Sequence, residues 1–226
     1  MSYCGSISDV VCQVLLADYV KYHQVFVIGS ALFASWAAYD ATRALFKLKR
    51  GNLYCPDAGL WSIRRALTVI VVSGLAATLL WTLLSLVNLS NVVEPEAGFA
   101  NLISTISEKS DRSQNAFNVA VTRWLQSSTE ALPAVISEAI GDRRSWQLPK
   151  AIICTIILLA VLLLKQALLA KLIIKAGSII YADLSRRPLI LTSVYILLPT
   201  EFVLMVLALA NTQASFAPLL LTLSAG

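Results

Sequence analysis

Glu201 stands in the stretch ILLPTEFVL (residues 196–204), two positions after Pro199 and next to Thr200. Placing a carboxylate at the centre of so apolar a segment costs about 2.5–3.5 kcal/mol on insertion scales, so it must meet protein, water or a partner, or carry a proton. A second charge interrupts another apolar run. Lys165, followed by Gln166, sits inside AIICTIILLAVLLLKQALLAKLIIKAG. Counting from the midpoints of the two runs puts Lys165 and Glu201 within about two helical turns in depth, on a pitch of ~5.4 Å. The lysine stem covers part of that gap, and the spacing predicts a Lys165–Glu201 contact within one subunit or between two. Two chemistries suit the pair. It is structural glue that fixes helix register, or Glu201 belongs to a proton or ion path as a protonation switch. Pro199 has no N–H to donate and predicts a kink. With the polar Thr200 it predicts the lining of a cavity.

Other chemistry-bearing residues are sparse. Asp40, Arg43 and Lys47 follow one another at spacings of three and four, which places them on one helix face. They are expected to form an intrahelical ion pair at the membrane interface, with a gate or docking point as the alternative. His23 is the sole histidine, so a Ser-His-Asp triad or a histidine metal site would need it. No phosphate loop, HExxH or CxxCH occurs. No enzyme activity, metal or cofactor is expected. Cys4, Cys12, Cys55 and Cys154 match no zinc or redox spacing. Cys4 and Cys12 pair only if their compartment is oxidising, and free, partly buried thiols are expected.

The elements that must position these residues follow from composition. The 226 residues are 58% hydrophobic and 14% charged, against about 25% charged in soluble domains. The apolar residues cluster in long runs rich in Leu, Ile, Val and Ala, and the short alternating segments of a membrane barrel are absent. The expected fold is all-α, a polytopic four-transmembrane-helix bundle. Spans are predicted over about 25–46, 66–93, from Pro149 onward to about 182, and 189–210. Each reaches the ~20 residues that cross ~30 Å of hydrocarbon.

Five segments result. Residues 1–23 hold an amphipathic interfacial helix, with Ser6 and Asp9 as a capping signature and Val10, Val11, Val14, Leu15 and Tyr19 at helical spacing. This terminus lacks the basic start of a signal peptide and is expected to be kept. Residues 24–93 carry the first two spans, joined by the basic loop 47–65. Residues 94–149 form a helical extracytoplasmic cap of two helices, the first started by Asp111 or Ser113, the second by Ser127 and Glu130 and ended by Gly141. Residues 150–210 carry the last two spans, and 211–226 form an apolar tail too short to cross. Ser30, Ala34 and Ala38, together with Ser73 and Ala77 beside Gly74, form small-residue rows that predict close helix packing or an oligomer seam. Trp61 and Trp146 fit interfacial anchors. The Asn88-Leu-Ser90 sequon hugs a predicted span and is read as chance.

Charge sets orientation. Lys47, Lys49, Arg50, Arg64 and Arg65 lie between the first two spans, and Lys171, Lys175, Arg186 and Arg187 between the last two. In a four-span chain both links face one side, and their bias makes it cytoplasmic. Both termini are then extracytoplasmic, which fits a bacterial inner membrane. The net charge of +5 reports this topology, and no nucleic-acid partner is expected. The basic links suit a cytoplasmic protein partner or anionic lipid. The first functional expectation is a homo-oligomeric membrane subunit, a sensor, scaffold or effector that couples its outer face to that partner, as in phage defence or envelope stress. The alternative is a small ion or proton channel or carrier that uses Lys165 and Glu201.

Overall fold

A computed structural model of the chain describes residues 4, 8–50, 63–112, 115–176 and 187–225. Among the described residues there is no strand, and seven α-helices follow in order: α1 (Asp9–Arg50), α2 (Ile63–Val93), α3 (Glu96–Arg112), α4 (Ala116–Leu125), α5 (Ala134–Ala176), α6 (Arg187–Phe216) and α7 (Pro218–Ala225). Four of them, α1, α2, α5 and α6, are long and apolar enough to cross a membrane. That is compatible with a multi-pass integral membrane protein.

Several boundaries differ from the sequence reading. The expected interfacial helix and first span are one helix of 42 residues, about 63 Å at 1.5 Å per residue. Nothing between Tyr22 and Val25 breaks it, since His23 and Gln24 are neither Gly nor Pro. The second cap helix and the third span likewise merge in α5, which runs 43 residues through Pro149 and Gly141. A proline in a helix interior deletes one backbone hydrogen bond, and so long a helix keeps the rest. The start is also later than expected. Ser127 makes a turn, its Oγ donating to the Trp124 carbonyl at 2.8 Å, and α5 begins after Pro133. Asn115, not Asp111, caps α4 by accepting from the Asn118 N–H at 2.7 Å, and Ser113 lies outside the described residues. Helix α3 fills the start of the segment that the sequence reading left without a helix.

The chain divides into two compact units. The first comprises Met1–Gly29, Leu84–Ile152 and Leu209–Gly226. Its core joins Val11, Leu15 and Tyr19 of α1 to Phe99, Ile103 and Ile106 of α3, with Trp124 of α4 and Leu219 and Leu223 of α7. Spacings of three and four put each set on one helix face. The C-terminal tail is therefore two helical pieces. Pro218 starts α7, where a missing N–H costs nothing. The Asp18 carboxylate accepts from the Leu220 N–H at 2.8 Å, satisfying a donor that the first helical turn leaves open. A disulfide joins Cys4 and Cys12, correcting the expectation of free thiols there. Cys154 is free, and Cys55 lies outside the described residues.

The second unit comprises Ser30–Leu83 and Ile153–Ala208. On α1 the buried small residues are Ser30, Ala34, Ala37, Ala41 and Ala44. This 4-3-4-3 pattern follows one helix face, whereas steps of four alone drift around the axis. Ala38 is accordingly only half-buried. Helix α2 packs tightly against α1 at Gly74, where an added Cβ would stand 3.0 Å from the Ala41 Cβ and 3.1 Å from the Ala37 carbonyl oxygen. Trp81 is buried between Phe33 and Phe202, at centroid distances of 5.2 and 5.7 Å. Large apolar side chains such as Val72, Leu79, Ile156 and Leu163 point outward and are more than half exposed, an outer surface suited to lipid.

Candidate functional site

The buried face of α5 in the second unit reads Leu158, Leu162, Lys165, Leu169, and that of α6 reads Leu191, Val194, Glu201, Met205, Ala208. Both follow the three-and-four spacing of a helix seam, so each charge occupies a position that its neighbours fill with apolar side chains. Asp40 lies beside the α1 stripe between Ala37 and Ala41. The three are nearly sealed from the surface: Asp40 is 5%, Lys165 1% and Glu201 6% exposed.

They meet. The Lys165 ammonium pairs with the Asp40 carboxylate and with that of Glu201. The Gln166 amide donates to the other Asp40 oxygen, and its carbonyl accepts from Arg43 Nη1 at 2.6 Å. One continuous network thus links α1, α5 and α6. Its centre holds two carboxylates and one ammonium. Arg43 joins through the neutral Gln166 amide and makes no ion pair with Asp40 or Glu201. Burying such groups is costly unless each is paired, so the excess negative charge at this centre is the feature that needs a counterpart.

A cavity of about 590 Å³ adjoins the cluster. Helix α2 supplies Val69, Ser73, Ala77 and Leu80, α6 supplies Tyr195, Leu198, Pro199 and Phe202, and Asp40, Lys165 and Glu201 belong to the wall. The lining is otherwise apolar.

Set against the sequence reading, the structure brings together Lys165, Glu201 and Gln166 as the depths of the two runs suggested. Asp40 and Arg43 do not form the intrahelical pair expected of them; both reach across to α5. Asp40 was overlooked as a partner for Lys165 because Arg43 offered a local one at i+3. Its place beside the small-residue stripe of α1, between Ala37 and Ala41, was the available signal. Thr200 stays outside the cluster. It is exposed, and its hydroxyl donates to the Ile196 carbonyl at 2.9 Å, because one step from the inward Glu201 turns a helix by ~100°. Pro199 lies in the cavity wall within an unbroken α6. Of the small-residue rows, Ser30 and Ala34 are buried, while Ser73 and Ala77 line the cavity.

The basic residues gather at one end of the second unit. Ala44, Ala66, Leu67 and Leu169 share a core cluster, and Lys47, Lys49, Arg64, Arg65 and Lys171, close to them in sequence, are exposed. The side chains of Arg50, Lys175 and Arg187, and all of Arg186, lie outside the described residues. So does Trp61. Trp146 is exposed, with Lys150 Nζ 5.2 Å above its ring.

In the first unit His23 Nδ1 and Asn88 Oδ1 are 2.7 Å apart, and the Tyr19 hydroxyl donates to Asn91 Oδ1 at 3.1 Å. Asn88 is thereby engaged inside the fold. Among the described residues no group of three or more His, Cys, Asp or Glu side chains is placed to hold a metal. Comparison with known proteins returns no matching family model, no matching curated protein and no matching solved structure, so any functional reading rests on the chain's own geometry.

Proposed function

We propose that this chain is a proton-linked membrane carrier or channel subunit in which Asp40, Lys165 and Glu201 form a one-proton site. A single observation carries the reading. Two buried carboxylates share one ammonium at the wall of a cavity. Fixing helix register takes neither a second carboxylate on the same ammonium nor an adjoining space. With two carboxylates, the centre carries one negative charge that a proton would neutralise. Ionisable residues inside membrane segments are most often parts of ion or proton paths.

The test is proton flux into proteoliposomes, read with an entrapped pH-sensitive dye under an imposed membrane potential. Wild type is expected to conduct, and Glu201→Gln and Asp40→Asn are each expected to cut the flux about tenfold or more. Flux unchanged in a Glu201→Gln protein that elutes like wild type would contradict the proposal.

A second reading is an oligomeric subunit that couples its outer face to a cytoplasmic partner. The exposed Lys47, Lys49, Arg64, Arg65 and Lys171 support it, since a basic end marks the cytoplasmic side and suits acidic protein or lipid. The Cys4–Cys12 disulfide supports an oxidising, extracytoplasmic compartment for the N-terminus. This reading ranks second because it gives the charged cavity no task.

A further inference from the structure

We infer that the cavity of the second unit binds an amphiphilic monovalent organic cation, with its charged group at Asp40 and Glu201 and its apolar body between α2 and α6. The inference deepens the proposed function, on which it rests, by naming the species that exchanges with the proton.

Size and lining define the ligand class first. A volume of about 590 Å³ falls in the ~300–1,000 Å³ range of small-molecule sites. Apart from Ser73 and Tyr195, the polar residues of the lining are the charged three. Such a space favours a body that is largely hydrocarbon. Charge then selects the sign. The centre carries one carboxylate more than it has ammonium groups, so a single positive charge completes it. An anion would face that excess without a partner, and a neutral molecule would leave it in place. A bare metal ion is a poor occupant. Hard divalent cations take about six or more oxygen ligands, and here two carboxylates face an apolar wall. Phe202 and Tyr195 belong to that wall, and aromatic rings attract organic cations.

The entrance fits the same class. Val69, Leu80, Phe202 and Val203 line the cavity and are themselves 39–54% exposed. The opening therefore lies on the apolar outer surface, where a ligand dissolved in the bilayer would arrive.

Exchange balances in charge and protons. The cation enters, the protonated carboxyl of the Asp40–Glu201 pair gives up its proton, and one positive charge replaces another. The charged groups that face the pair are Lys165 on α5 and, through the Gln166 amide, Arg43 on α1; α2 contributes no charged residue to the lining. Binding must therefore weaken as pH falls, by up to about tenfold per pH unit where one proton competes.

The probes are tetraphenylphosphonium and tetraphenylborate, which share shape and apolarity and differ in sign. Each is titrated calorimetrically into the purified full-length chain in mild detergent, in two buffers of different ionisation enthalpy. Tetraphenylphosphonium is expected to bind saturably, about tenfold or more tighter than tetraphenylborate, with proton release. Ala77→Phe fills the cavity without removing a charge and is expected to cost about tenfold or more in that affinity. Ala76→Phe, on a more exposed part of the wall, does the same if the first variant fails to fold. Equal binding of both ions, or tetraphenylphosphonium binding unmoved by a folded cavity-filling variant, overturns the inference. If the cation does not bind while Glu201→Gln still abolishes proton flux, the ligand class is wrong and the proton site stands. If the cation binds as expected while flux ignores Glu201→Gln, the ligand site stands and the proton-linked function falls.

Discussion

Lys165 sits between two carboxylates, and its removal is the most informative single change in the second unit. Lys165→Met keeps length and apolarity but leaves Asp40 and Glu201 buried together without their shared cation. Breaking a buried pair in this way costs about 3–5 kcal/mol. The Lys165→Met/Asp40→Asn/Glu201→Gln triple variant removes every uncompensated charge and should recover most of that loss. Thermal unfolding in detergent, followed by tryptophan fluorescence, checks both; a triple variant no more stable than the single one would contradict the pairing. At this scale the sequence was legible where a charge interrupts an apolar run. Lys165 and Glu201 stand out for that reason, and their depths follow from counting rise along two helices. Asp40 lies near the end of a span with Arg43 three residues on, and spacing alone cannot rank a local partner against a distant one. The same holds for Cys4 and Cys12, whose spacing matches no redox motif and leaves their pairing open.

The helices place these side chains through their three-and-four seams. Ala37 and Ala41 leave room for α1 to approach α2 closely at Gly74. A side chain at Gly74 meets the Ala41 Cβ and the Ala37 carbonyl, neither of which can rotate away. At Gly29 it meets only the end of the Leu209 side chain, at 2.6 Å, and a leucine can change rotamer. Gly74→Val should therefore destabilise by about 1–3 kcal/mol through overpacking, while Gly29→Ala should cost well under that. The two unfolding midpoints, compared in one detergent, test the ranking, and equal losses would argue against a tight α1–α2 contact at Gly74. The four apolar helices were legible because runs of Leu, Ile and Val leave no other reading at that length. Their ends were not. Tyr22 to Val25 contains no breaker, so α1 continues where amphipathic and apolar patterns meet. Pro149 looked like a boundary, yet α5 passes through it because the residues on both sides support a helix.

For the molecule as a whole, outward Leu, Ile and Val side chains and inward charges invert the usual arrangement of a soluble protein. That inversion is what makes the Asp40–Lys165–Glu201 cluster consequential, because a carboxylate buried among apolar side chains has no water to fall back on. The low charge content and long apolar runs made four membrane-compatible helices legible from composition. The third member of the cluster was less so, since Arg43 offers Asp40 a local partner at i+3. The most direct measurement is infrared difference spectroscopy of the carboxyl groups during a pH titration in lipid nanodiscs, with wild type, Asp40→Asn and Glu201→Gln side by side. A proton-linked cluster predicts one protonated-carboxyl band that titrates in wild type and is lost or shifted in both variants. Carboxyl bands that ignore either substitution would contradict the central claim and leave the cluster as helix packing.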